Sequence, residues 1–460
     1  MMLDHPAPFA FGVLVALMLA VLAFRAPWFG LLAVFPLAFS IRPAPPGIGI
    51  QEALFALLVA IVVLKSIAGL VVASGWQTML RQYGKPLGLA GVLVIANLLV
   101  AVSHGVGLAD WLRGFVPFLF IGLFIPVAWA IEQHPERLRW LGASIGGLIA
   151  LLAGHIVVYY LVNGLHHPYW LIVGDGIPQR LSEGLVPLYP GAQGPILDRV
   201  TVHIQSATDA LLPVGIVAGL IVAALASDRR AAILWYAIAI LSLTAVLMTY
   251  TRSMLLSTVI VLAIFVGQTA VSRHGLSKVV VLVLGLVLFG AGVVASLNIE
   301  SMWGYRMGRL AEAVMEDGTT SSVTTRLEEY RIAWDRFIQH PLLGNGLGAK
   351  HVMQFKGPEG LVQQHVAYIH NWPLYFLMAT GVVGFLVYAW VLLAPAFMRP
   401  QEEFREHLTL AVLRAAILTM AIYGLFFAVF RLITFNLLLA AIWGVALAVS
   451  QTSRSSSAST

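Results

Sequence analysis

The 460-residue chain has no cysteine and few charged groups: 27 lysines and arginines and 21 acids make up 10% of it, against 60% hydrophobic residues. Without cysteine there is no disulfide framework, no thiolate nucleophile and no Cys-ligated metal site. So small a charged fraction excludes an ordinary soluble protein, in which about a quarter of residues are charged. The sequence also has no DxD motif, no GxxxxGK[ST] phosphate loop and no long basic run. The formal net charge of +6 therefore does not point to nucleic acid. No repeat at solenoid periods and no inverted-repeat signal is present. What is there is lipid-like, with a mean hydropathy of +0.89.

A membrane span needs about 20 apolar residues. Apolar runs near 7–25, 27–41, 52–73, 87–103, 113–131, 141–163, 208–226, 232–250, 254–271, 278–297, 372–395, 409–429 and 432–449 predict an all-α polytopic membrane protein with about twelve transmembrane helices. The run 27–41 carries Pro36 and is short, so it reads as a full span, a half-span or a re-entrant piece. The chain divides into N-terminal helices (1–163), a first loop (164–208), central helices (209–297), a large loop with amphipathic helices (298–371), C-terminal helices (372–450) and a disordered tail (451–460). MMLDHPAPFA has no positive n-region, so no cleaved signal peptide is expected. Arg81 and Lys85, Arg137 and Arg139, Arg229 and Arg230, Arg273 and Lys278, and Arg399 and Arg405 fall on alternate connections and mark the cytoplasmic face. Both long polar segments then face outward, where backbone and ionisable groups can meet water.

Within the large loop, Thr325-Arg326-Leu327-Glu328 reads as a capping box that starts a helix at Arg326. Leu327, Tyr330, Trp334, Phe337 and Ile338 give that helix an apolar stripe for the bilayer or other helices. Pro341 and the glycines of HPLLGNGLG end it. An arginine in a first helical turn lies beside unpaired amides, and both attract an anion; the plainer alternative is a surface pair with Glu329 at i+3. Arg252 sits alone in the tight outward turn Tyr250-Thr251-Arg252-Ser253, against the positive-inside preference, as an anion site or as a residue snorkelling to headgroups. In Ile369-His370-Asn371-Trp372-Pro373, Asn371 suits an N-cap and Pro373 the first turn. That holds His370 at the outer boundary. Histidine titrates at about 6.5 in water, so an imidazole there can take up a proton near neutrality. His365 lies five residues earlier, a poor spacing for a shared metal. Arg199 and His203 share a face if helical, with Asp209 near the next span.

These segments, taken in order, resemble the O-antigen ligase and O-antigen polymerase family of bacterial envelope glycosyltransferases. The resemblance rests on Arg199, the TRS turn (Thr251 to Ser253), TTRLEEYRIAW through HPLLGNGLG (324–348) and HNWPLYFLMATGVVGFL (370–386), and covers about 195–390. It implies an inner-membrane enzyme of C-type architecture that needs no metal or other cofactor. The implied donor is a glycan on undecaprenyl pyrophosphate. The implied acceptor is lipid A core for a ligase, or another lipid-linked glycan for a polymerase. By that resemblance Arg252 and Arg326, supported by Arg199, stabilise the departing pyrophosphate, and His370 is the base for the acceptor hydroxyl, with inversion at the anomeric carbon. His203 and Asp209 depart from the small, neutral pattern expected after Arg199 and leave its register less secure. A transporter or flippase of lipid-linked sugars is the rival of another class; it would carry its charges near mid-membrane, where Lys65 is the clearest example.

Overall fold

A computed structural model describes residues 18, 21–38, 50–74, 76–162, 210–249, 251–272, 276–296, 322–357, 360–398 and 404–457. In lipid a single segment can satisfy its interior N–H and C=O groups only as a helix, and among the described residues the apolar runs are helical up to the break after Gly424. They are α1 (Pro27–Ala38), α2 (Ile50–Ser74), α3 (Trp76–Ser103), α4 (Leu108–Leu119), α5 (Phe124–Gln133), α6 (Arg137–Val162), α7 (Leu211–Leu225), α8 (Arg229–Thr249), α9 (Arg252–Ser272), α10 (Leu276–Ser296), α11 (Ser322–Gln339), α12 (Trp372–Phe397), α13 (Phe404–Gly424) and α14 (Ile433–Ser457). Short 3-10 turns join α4 to α5 (Phe120–Leu123) and precede α14 (Ala428–Arg431). The protein is an all-α polytopic membrane protein. Among the described residues eight stretches are long and apolar enough to cross a bilayer, and α1, α7, α9 and α13 contribute shorter apolar stretches. With those four the described residues reach the expected figure of about twelve, and the expected run 7–25 lies largely outside the described residues.

The core is built round α7 and α14. Nearly every side chain of α7 is buried, as is 78% of the span Ile433–Ser450 in α14; a helix apolar on all sides belongs in such a place. α7 packs on α8 and α13, and α14 runs along α5. A Cβ at Gly219 would stand 2.6 Å from the Trp235 carbonyl, so glycine there sets how closely α7 and α8 approach. Peripheral helices turn large apolar residues outward, Val72 on α2 at 87% exposure.

Three features differ from the sequence reading. α11 begins at Ser322, a turn before Arg326. The Ser and Thr residues preceding Arg326 cost only tenths of a kcal/mol each in a helix, so the helix runs through the expected cap. A β-hairpin, β1 (His351–Gly357) with β2 (Gly360–Val366), pairs antiparallel from His351 opposite Val366 to Gly357 opposite Gly360 in a loop for which amphipathic helices are expected. At the other end α14 continues to Ser457, into the stretch read as a disordered tail; a helix already nucleated over its apolar part extends at little cost through polar residues.

The turn after α11 fixes the large loop to the bundle. Gly344, Gly346 and Gly348 have φ of 70°, 91° and 79°, backbone that residues with a Cβ rarely adopt. A Cβ on Gly346 would also lie 2.4 Å from Ala101 of α3. α12 kinks at Gly381, φ 65°, which frees carbonyls in the preceding turn. Those carbonyls are taken up by the turn: Asn345 and Gly346 N–H donate to Met378 and Ala379 at 2.9 Å each. Asn97 completes the clasp, donating to the Ala379 carbonyl at 3.0 Å and accepting from Leu347 N–H at 3.0 Å and the Trp111 indole at 3.1 Å.

Candidate active site

α12 starts as the sequence indicates. Asn371 is the N-cap, its side-chain oxygen accepting from Leu374 N–H at 3.0 Å, with Pro373 in the first turn. The Asn371 amide has a second task. It donates to the Leu425 carbonyl at 3.2 Å, one of the carbonyls left without helical partners where α13 ends at Gly424. The next carbonyl, Phe426, accepts from the Arg326 guanidinium, and Tyr330 of α11 reaches Leu425 at 3.4 Å. The break between α13 and α14 is thus held by side chains from α11 and α12. A cation is favoured at such a helix C-terminus. The expectation that Arg326 stands among first-turn amides is corrected: it lies in the second turn of its own helix, with its guanidinium on the end of another.

The helix α11 presents Glu329 and Ala333, 1% and 0% exposed, to the protein, while Leu327, Trp334 and Ile338 stay exposed. Glu329 is not the i+3 partner of Arg326. Both its oxygens lie 2.9 Å from His370 Nδ1, and one accepts the His370 main-chain N–H at 3.2 Å. The His370 side chain keeps 22% of its surface accessible and that of Glu329 only 1%, so a reactant can reach the imidazole but not the carboxylate. Tyr368 and Phe427 stand edge-on to the imidazole at ring separations of 5.2 and 5.6 Å. Tyr330 donates to the His370 carbonyl at 3.4 Å. Burial raises the hydroxyls of Tyr330 and Tyr368 above the ordinary tyrosine range; Glu329 adds to the effect on Tyr368, and Arg431 opposes it. Both hydroxyls are kept as donors.

Arg431, at the end of the 3-10 turn before α14, stacks over Tyr368 at 5.6 Å and Tyr375 at 5.7 Å. Its Nε is buried without an acceptor among the described residues. The lone-charge argument that singles out Arg252 applies equally to this arginine between two apolar runs. Glu329 was legible only as a helix carboxylate, because its partner is 41 residues away. Tyr368 and Phe427 carry no sequence signal beyond being aromatic.

His370 and Arg326 therefore converge, joined through α11 and the link from Gly424 to Arg431. Arg252 opens α9, which packs on α13. Arg199, with His203 and Asp209, lies outside the described residues. Among the described residues no group of three or more His, Asp or Glu side chains is placed to hold a metal ion.

A bundle of apolar helices with a His–Glu pair, Arg326 and Arg431 round the break before α14 defines a multi-pass membrane protein with a polar site there. Residues 237–389, which include Arg252, Arg326 and His370, match the family model described as O-antigen ligase. That stretch is about a third of the chain's length. No curated protein matches it.

Proposed function

We propose that the protein is a metal-independent, inverting glycosyltransferase of the inner membrane. It moves a glycan from undecaprenyl pyrophosphate to a sugar hydroxyl at the periplasmic face, as an O-antigen ligase acting on lipid A core. The observation that carries this reading is the accessible imidazole of His370, backed by a buried carboxylate and set beside the arginine-bearing helix α11, inside the stretch that matches the ligase family. As the acceptor oxygen bonds to the anomeric carbon, its proton passes to His370. The bond from that carbon to the phosphate oxygen breaks, and its electron pair leaves on the pyrophosphate. Attack on the side opposite the leaving group inverts the centre. Fixed cations favour the developing charge most where water is scarce. Arg326 is anchored through one donor on the Phe426 carbonyl, and a guanidinium has five N–H groups, so others remain for the pyrophosphate. Arg252 supplies a second cation from the start of α9, and Arg199 a third from the first loop.

The lipopolysaccharide of a deletion strain tests the assignment. Bare core with retained lipid-linked polymer is the expected phenotype, whereas core bearing a single repeat would make the protein a polymerase and unchanged lipopolysaccharide would remove it from this chemistry. In membranes with equal protein, His370→Ala is expected to abolish transfer from pH 6 to 9; full transfer would eliminate it as the base. Transfer is expected to survive EDTA, and a loss restored by one divalent ion would contradict the metal-free mechanism.

A further inference from the structure

A base that is to take a proton from an alcohol must present a lone pair to it, and an imidazole does so from only one nitrogen at a time. Which nitrogen is free depends on what the other one touches. Here Nδ1 faces both oxygens of Glu329 at 2.9 Å, an acceptor-only group when ionised. The proton belongs on Nδ1, and Nε2, across the ring, is left as the acceptor. The same carboxylate takes the His370 main-chain N–H at 3.2 Å, so it sets the ring's position as well as its tautomer. Among the described residues it is the one carboxylate in contact with His370. The charged and titratable groups facing the pair are Arg326, Tyr330 and Arg336 from α11, His351 from β1, Tyr368 from the link before α12, and Arg431 from the turn before α14. Neither the two tyrosines nor His351 carries a carboxylate, and the arginines bring no acceptor.

We infer that Glu329 is the positioning residue of this site, holding the His370 ring with its proton on Nδ1 so that Nε2 is turned to the acceptor alcohol. The inference rests on His370 being the base and deepens that reading. Glu329 touches no reactant; it acts through His370 alone. As the alcohol's proton arrives on Nε2, the ring becomes an imidazolium, and the buried carboxylate offsets the new charge at short range. An amide in its place keeps only one acceptor oxygen and puts an NH2 where the other carboxylate oxygen stood. With its oxygen on the main-chain N–H, its NH2 faces Nδ1 and drives the ring proton to Nε2, the wrong nitrogen for a base.

The test is transfer by detergent-purified full-length protein, using lipid-pyrophosphate-linked glycan as donor and core lipid as acceptor, with kcat and KM measured from pH 5 to 9. Glu329→Gln is expected to lower kcat by about 10²–10⁴-fold, the range seen when a catalytic histidine loses its orienting carboxylate. KM for the donor stays within about threefold, as expected when an interaction specific to the transition state is lost. Glu329→Asp keeps the carboxylate with a shorter reach, so it loses less rate than Glu329→Gln, and it serves as the informative variant if the Gln protein does not fold. Unchanged kcat in Glu329→Gln, with His370→Ala inactive, would overturn the inference and leave the base intact. A raised donor KM with unchanged kcat would overturn it too, making Glu329 part of donor binding. An active His370→Ala would bring down the base itself.

Discussion

Protonating His351 would put a charge where the imidazole is 1% exposed and neither ring nitrogen has a hydrogen-bond partner. Burial holds its pKa down at about 4 against a usual 6.5, with the neighbouring Arg336 acting in the same direction and Glu329 against it. A group depressed in the folded state contributes its stability above the unfolded pKa and loses it as pH falls through the folded one. The contribution is therefore whole above about pH 6.5 and gone below about pH 4, on the order of 3 kcal/mol across that window. Replacing His351 by Leu should flatten the acid dependence of the melting temperature over that range, and identical pH profiles for the two proteins would show that the imidazole is not held neutral. Arg326 gives a second residue-scale expectation. Its donor to Phe426 satisfies a carbonyl at the end of α13, so Arg326→Ala should lower stability by about 1–3 kcal/mol as well as abolish transfer. Lost transfer with an unchanged melting temperature would mean that the carbonyl finds another partner.

The clasp between α3, α11 and α12 works at the scale of elements, where the cost of a change depends on neighbouring backbones. Gly346→Ala adds a Cβ 2.4 Å from Ala101 at a φ of 91°; it should destabilise the protein by several kcal/mol and release α11 from the bundle. Gly292→Ala on α10, where a Cβ would meet nothing within 4 Å, should be neutral or stabilise by up to about 1 kcal/mol. Comparable melting temperatures for the two would mean that the turn does not hold the loop. These elements also show where the sequence is legible. The Asn371 cap, Pro373 and the terminating glycines are local devices, read correctly because cap and turn chemistry act over a few residues. The apolar runs are read for the same reason. The start of α11 was misplaced because a capping pattern within a helix looks like one at its end. The His351–Val366 hairpin is not legible from its strands, although Gly357-Pro358-Glu359-Gly360 is a turn signal, because the alternation is short in β1 (Met353-Gln354-Phe355-Lys356) and broken in β2 by the adjacent Gln363 and Gln364. The Glu329–His370 pair and the docking of Arg326 on α13 depend on tertiary contacts, which no local pattern records.

At the scale of the whole molecule, the site works as proposed only if the bundle has one orientation in the membrane. Chain alternation places four pieces at one end: the turn after α3, the start of α9, the loop carrying α11, and the break before α14. Contacts bear this out for three of them, since Gly346 lies against Ala101, Lys350 pairs with Asp110 at 2.8 Å and Arg326 meets Phe426. Arg139, at the beginning of α6, belongs to the opposite end, with the arginine-bearing connections that the positive-inside rule assigns to the cytoplasm. Because the chain has no cysteine, a single introduced thiol reports its own side without background. Gln339→Cys, exposed at the end of α11, should react with a membrane-impermeant maleimide in cells whose outer membrane alone has been opened. Arg139→Cys should react only after the inner membrane is disrupted. The reverse pattern would put His370 and both arginines in the cytoplasm, away from any lipid-linked glycan displayed outside, and labelling of both in intact inner membranes would mean that α11 and the start of α6 share a face.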